Sequence, residues 1–121
     1  MRIFETKWFA RYARRERIEG ENLREAVIRA EKGLVDADLG GNVIKQRVAR
    51  SGQGRSGGYR VLIAFHSKRR AVFLYGFAKS ERDNVNDPEL ASLKEIATAW
   101  LDADEGQIER AIAQGVLQEV V

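Results

Sequence analysis

Cationic side chains spaced along predicted β-strands are the residues of this sequence best able to do chemistry. Lys45 and Arg47 alternate with apolar residues, which predicts that both lie on one face of a strand over residues 43–50. Arg60 lies near the start of the next predicted strand, and Lys79 follows directly on the one after it. Such groups bind phosphate oxygens, which a guanidinium group can hold through two hydrogen bonds at once. Whether Arg60 shares the face of Lys45 and Arg47 depends on a register that the intervening glycine-rich loop does not fix.

Two aromatic residues of the following strand are predicted to lie on the same face as Arg60. A tight turn predicts that His66 pairs with Ala71. This register places Phe77 opposite Arg60 and puts Tyr75 on the same face. Aromatic rings stack on unpaired bases, so rings and cations together favour single-stranded RNA over duplex DNA. Packing in the protein core is the alternative explanation for either ring alone.

The charges are distributed unevenly along the 121 residues, whose formal net charge is +3. Residues 1–80 contain 18 Lys or Arg and 8 Asp or Glu, whereas residues 81–121 contain 3 and 10. The stretch from Leu39 to Ser80 holds nine cationic residues and no acidic one. Solubility does not require so long a stretch without a carboxylate. The basic stretch therefore predicts contact with a polyanion, most often a nucleic acid; a solvated surface is the alternative.

Composition excludes several kinds of site. With no cysteine and a single histidine, the chain has no disulfide, no thiol nucleophile and no zinc knuckle. We therefore expect neither a metal nor a cofactor. No acidic partner for a Ser-His-Asp triad lies in the basic stretch around His66, which is then a surface residue. The glycine-rich segment 51–57 precedes a strand, unlike a phosphate loop, although Arg55 within it can reach a bound phosphate.

Hydrophobic periodicity predicts four helices that position these residues. The first begins after Thr6 and buries a stripe formed by Trp8, Phe9, Tyr12 and Ala13. The second has Asn22 and Glu25 as a capping box and ends at Gly33. The third has Asp87 as its cap and Pro88 at its first helical position, and the fourth is capped by Asp104 and ends at Gly115.

The predicted fold is α+β. Strands are expected at residues 2–5, 43–50, 59–66, 71–78 and 116–121. They form a curved antiparallel sheet of about four to five strands, with an N-terminal helical hairpin and C-terminal helices packed on it. The length predicts a single domain, residues 1–121. Because no apolar run approaches the ~18 residues of a membrane span and no signal peptide is evident, we expect a cytoplasmic protein without membrane contact.

Several segments, in their order and spacing, resemble the RelE/HigB-like toxins of bacterial type II toxin–antitoxin modules, in the RelE/ParE superfamily. They are Leu39-Gly40-Gly41, Lys45-Gln46-Arg47-Val48-Ala49, Gly54-Arg55-Ser56-Gly57-Gly58-Tyr59-Arg60 and Phe73 to Asn84. Similar beginnings and endings, Thr6-Lys7-Trp8-Phe9 and Gly115 to Val120, extend the resemblance over nearly the whole chain. It implies a RelE-like fold.

The resemblance implies a ribosome-dependent endoribonuclease that cuts mRNA by attack of a ribose 2′-OH on the adjacent phosphate. Arg60 would stabilise the phosphorane, and Lys79 or Lys45 would act as base or electrostatic helper. A lysine can be a base only where neighbouring cations and burial favour its neutral form. Tyr75 or Phe77 would stack on the splayed base. The other residues expected to bind RNA are Arg47, Arg50, Arg55 and Arg82.

The implied partners are the ribosome, mRNA and a cognate antitoxin, a small protein that often carries a helix-turn-helix. The antitoxin would cover the basic face or block entry to the ribosome. Members of the superfamily differ in catalytic residues, and this sequence matches no fixed catalytic set. A second interpretation is therefore a non-cleaving member, either a toxin directed at DNA gyrase or a decayed toxin that binds nucleic acid as a co-repressor.

Overall fold

The computed structural model describes residues 1–50 and 57–121, and over these it is α+β, as predicted. The helices are α1 (Lys7–Glu16), α2 (Gly20–Glu31), α3 (Asp87–Asp102) and α4 (Glu105–Ala113). The strands are β1 (Arg2–Thr6), β2 (Ala37–Asp38), β3 (Val43–Val48), β4 (Tyr59–His66), β5 (Arg70–Ala78) and β6 (Leu117–Glu119). Within the described ranges no helix is long and apolar enough to cross a membrane.

The strands form one sheet in the order β2-β3-β4-β5-β1-β6. It is mixed rather than antiparallel, because β1 runs parallel to β5. The short strand β2, which pairs with β3, is the sixth strand that the sequence analysis did not anticipate. Two residues are too few for an alternating pattern to be recognised. The central position of β4 agrees with its apolar character on both faces.

Each face of the sheet carries its own helical layer. The first apolar cluster joins α1 and α2 to one face through residues such as Phe9, Leu23 and Phe73. The second joins α3 and α4 to the other face through residues such as Leu62 and Leu101. Since β5 has a helical layer on both sides, nearly all of its residues are buried. The candidate site lies on the face that α3 covers in part.

Side-chain caps explain where most helices begin. Thr6 accepts a hydrogen bond from the Phe9 amide at 3.2 Å, and Asp104 forms a capping box with Gln107, both at predicted N-caps. The predicted capping box of Asn22 is wrong, because α2 begins earlier, at Gly20. The cap of α3 is Asn86, one residue before the predicted one.

Trp8 is the clearest error in the predicted core. The other three residues of its stripe are buried, whereas Trp8 is 44% exposed. Pairing between β1 and β5 ends at Glu5 and Phe73, so α1 begins beside the unpaired edge of β5. There the indole stacks on Tyr75, with ring centroids 4.5 Å apart, instead of entering the core.

Candidate functional site

Two rows of side chains cross β3, β4 and β5 on the face shared with α3. Lys45 pairs with Leu62, which pairs with Tyr75. In the neighbouring row, Arg47 pairs with Arg60, which pairs with Phe77. The register that the sequence left open therefore brings Lys45, Arg47 and Arg60 to one face.

A β-bulge keeps this arrangement in place. The turn between β4 and β5 is one residue shorter than predicted, since His66 pairs with Arg70 and not with Ala71. A bulge midway along the two strands then shifts the register by one residue. Arg60 and Phe77 are consequently partners, as predicted, although the predicted turn was wrong.

The direct juxtaposition of Arg47 and Arg60 concentrates positive charge. Like charges opposite each other in a sheet repel, and both burial and Arg47 lower the pKa of Arg60 from its ordinary value. Asp36 opposes this effect. Its Oδ2 atom accepts a hydrogen bond from the backbone N–H of Arg47 at 2.6 Å and lies 3.5 Å from Arg29. The paired arginines thus form a position that favours a bound anion.

The aromatic residues of the two rows differ in exposure. Tyr75 is half-buried and borders a cleft of about 240 Å³ that is also lined by Glu89 and Leu93. Phe77 is only 3% exposed. The guanidinium of Arg82 lies 5.6 Å from the centroid of its ring. Tyr75 is therefore the ring with more surface available to a base.

Arg82 is already engaged by a carboxylate. Two of its nitrogens donate to the oxygens of Glu89, at 2.6 and 3.2 Å, and Nη1 lies 3.5 Å from the Tyr75 hydroxyl. This contact lowers the pKa of Glu89 and raises that of Arg82. Glu89 also accepts a hydrogen bond from the Asn86 amide, which completes the capping box of α3.

The remaining predicted residues lie around the two rows. Lys79 is exposed, and its backbone N–H donates to the Gly58 carbonyl at 3.1 Å, which extends the β4–β5 pairing toward the site. Arg50 is exposed and lies 5.6 Å from the ring of Tyr59. Arg55 lies outside the described residues.

Two cations of the basic stretch have structural roles instead. Arg70 is buried, and its Nη1 donates to the carbonyls of Trp100 and Ala103, each at 2.7 Å. Its Nη2 lies 3.2 Å from Glu105. Arg69 also donates to a carbonyl of α3. Cations at a helix C-terminus satisfy its last carbonyls, so these residues hold α3 to the sheet.

Sequence reasoning missed two residues that contact the site. Glu89 carried a detectable signal, because Asn86-x-x-Glu89 matches the spacing of a capping box. Trp8 carried no such signal, because its exposure depends on the unpaired edge of β5 beside α1, which is a feature of the tertiary structure. In the part of the chain that the structure describes, no three His, Cys, Asp or Glu side chains are grouped to hold a metal ion.

The chain matches a known protein family over nearly its whole length. A family model described as the RelE toxin of the RelE/RelB toxin–antitoxin system matches residues 1–120. A search of curated proteins gives no match.

Proposed function

The chain belongs to the RelE toxin family of toxin–antitoxin systems, and from this premise we propose that it cuts mRNA on the ribosome. Toxins of this family are generally endoribonucleases, and membership implies a cognate antitoxin. The observation that carries the proposal is the pair of rows that unites Lys45, Arg47 and Arg60 with Tyr75. Cations there can hold a phosphate while the ring stacks on the adjoining base.

The proposed reaction is a transfer within the RNA strand. A base takes the proton of a ribose 2′-OH, and the 2′-oxygen bonds to the adjacent phosphorus. The bond to the 5′-oxygen then breaks, and that oxygen receives a proton as it leaves. Arg60 stabilises the dianionic phosphorane, and Lys79, with Lys45 as the second candidate, accepts or supplies the proton. Arg47, Arg50 and Arg55 hold flanking phosphates.

Mapping mRNA 5′ ends after induction of the protein in cells tests this proposal. Cuts that follow the ribosomal reading frame, and that require ribosomes when the reaction is repeated with purified components, are the expected result. DNA damage without mRNA cleavage would contradict it and favour a toxin directed at DNA gyrase. An intact transcript pool without DNA damage would favour a nucleic-acid-binding co-repressor.

Binding to RNA is expected to weaken steeply with salt, because bound cations release the counterions of the phosphates they neutralise. The logarithm of the affinity should fall with a slope of about −0.7 per neutralised phosphate on a single strand. Fluorescence anisotropy of a labelled RNA oligonucleotide, titrated at several salt concentrations, measures this slope. An affinity that does not change with salt would show that the cationic face is not the binding surface.

Substituting Glu89 with Gln should tighten RNA binding severalfold at low salt. Glutamine removes the charge that holds Arg82, yet still serves at this position of a capping box, so α3 keeps its start. The same oligonucleotide titration measures the effect. Glu95→Gln removes an equal charge from an exposed position of α3 and is the matched control. If both variants bind alike, the effect belongs to overall charge, and Arg82 does not contact RNA.

The antitoxin is proposed to be a small helix-turn-helix protein that neutralises the toxin by covering the same face. Copurification of the toxin with the product of an adjoining gene would identify it. Protection of Lys45 and Lys79 from amine-reactive labels in that complex is the expected footprint.

A further inference from the structure

A second cleft lies on α1, next to the candidate site. It has a volume of about 230 Å³ and is lined by Trp8, Arg11, Tyr12 and Arg15. We refer to it as the α1 cleft. Trp8 and Tyr12 are one helical turn apart, and so are Arg11 and Arg15, so each pair projects from one side of the helix. The cleft therefore combines two aromatic rings with two guanidinium groups.

A continuous series of rings joins the α1 cleft to the candidate site. The centroid of Trp8 lies 5.2 Å from that of Tyr12 and 4.5 Å from that of Tyr75. Tyr75 in turn lies 6.3 Å from Phe77. An RNA strand whose base stacks on Tyr75 would have its neighbouring nucleotide close to Trp8.

The charge of α1 suits a phosphate. Its exposed cations are Lys7, Arg11, Arg14 and Arg15, and the helix has no acidic residue in its first turn. Arg11 forms no hydrogen bond or ion pair with any described residue, whereas Arg15 Nε lies 3.5 Å from a Glu16 carboxylate oxygen. Arg15 lies over the ring of Tyr12, 5.3 Å from its centroid. Trp8 is the exposed ring of this cleft, whereas Tyr12 is buried. A guanidinium group beside an exposed ring is a common combination in proteins that bind single-stranded nucleic acids.

We propose that the α1 cleft binds an mRNA nucleotide adjacent to the one that stacks on Tyr75. The base contacts the exposed surface of Trp8, and the phosphate binds Arg11 and Arg15. This inference rests on the proposed function, because it requires an RNA strand to leave the site across Tyr75. It extends the RNA-binding surface from the sheet to α1, and it adds no catalytic residue to the proposed reaction.

Tryptophan fluorescence reports binding at this cleft directly. The chain has two tryptophans, so Trp100→Phe leaves Trp8 as the single emitter. Adding a single-stranded RNA oligonucleotide should quench this emission along the same curve as the anisotropy of a labelled copy. Anisotropy that rises without any change in emission would overturn the proposal.

A double substitution tests the two arginines. Arg11→Ala with Arg15→Ala should weaken oligonucleotide binding by roughly tenfold, since each guanidinium–phosphate contact is charge-assisted. On ribosomes, the double variant should raise KM for mRNA and leave kcat nearly unchanged, because the contact is equal in the ground and transition states. Arg24→Ala with Arg110→Ala removes the same charge from α2 and α4 and should have no such effect. Thermal melts verify that both variants fold.

Three further outcomes would overturn the inference. The α1 and control variants could bind the oligonucleotide equally well, or the α1 variant could lose kcat rather than KM. Binding to empty ribosomes could weaken while binding to the oligonucleotide does not, which would assign the cleft to ribosomal RNA. None of these results affects the proposed function, which fails if the unaltered protein does not cut mRNA on ribosomes.

Discussion

Replacing Arg60 with Ala is expected to abolish toxicity and slow mRNA cleavage by about 10²–10³-fold, or ~3–4 kcal/mol of transition-state stabilisation. The guanidinium lies in a row between Arg47 and Phe77 on the face that also carries Tyr75. A phosphorane gains charge as the 2′-oxygen attacks, so a fixed cation at this position stabilises the transition state more than the bound substrate.

The surroundings of Arg60 support a role in anion binding. Burial and the charge of Arg47 both lower its pKa, so the cationic form is held at a cost that a bound phosphate would offset. Guanidinium remains protonated throughout the physiological range, so this site offers permanent positive charge.

Single-turnover cleavage of mRNA on programmed ribosomes, together with thermal melts, measures the effect of Arg60→Ala. Arg24→Ala, a half-buried arginine of α2 on the other side of the sheet, is the control for lost charge. If Arg60 serves the fold, its variant will melt at a lower temperature and keep its activity per folded molecule. That result would show that Arg60 does not stabilise the transition state.

The strands that carry the site could be predicted from the sequence, but the register between them could not. Alternation in β3 and the apolar character of β4 identified both strands, because these patterns follow from burial of one face or both. The pairing of Arg47 with Arg60 spans a glycine-rich loop, whose length and conformation leave the register free. The bulge that aligns Arg60 with Phe77 has no marker in the sequence, since Leu62 and Ile63 are ordinary strand residues.

The cations show why counting charges along the chain was only partly informative. Nine of them lie between Leu39 and Ser80, but Arg70 is buried against carbonyls of α3, 30 residues away in sequence. Arg82 was expected to bind RNA and is held by Glu89, seven residues further on. Partners brought together by tertiary structure decide which cations are available, whereas local patterns such as the Thr6 cap were predictable because donor and acceptor are neighbours in the chain.

Lys79→Ala is expected to reduce cleavage by roughly 10²–10⁴-fold, the usual contribution of a general base. Lys79 lies one residue beyond β5, where its backbone hydrogen bond to Gly58 continues the pairing that aligns Arg60 with Phe77. The side chain is exposed in the free protein, so a role as base requires that bound mRNA and ribosome bury it. Substitution by Arg distinguishes chemistry from charge, because guanidinium keeps the charge but cannot accept a proton at neutral pH.

If Lys79 is the base, Lys79→Arg should fail nearly as completely as Lys79→Ala in the single-turnover assay. If it only holds phosphate, Arg should restore cleavage to near the original rate, which would eliminate the role as base and leave an electrostatic contact. Lys68, exposed in the turn between β4 and β5, provides the control, and its Ala and Arg variants should both cleave normally. Little effect from either Lys79 substitution would identify a solvated lysine, and the same pair of substitutions at Lys45 would then test the second candidate. Lys45 lies two residues from Arg47, on the same face of the sheet as Arg60. Loss of cleavage in Lys45→Arg would therefore assign the role of base to Lys45.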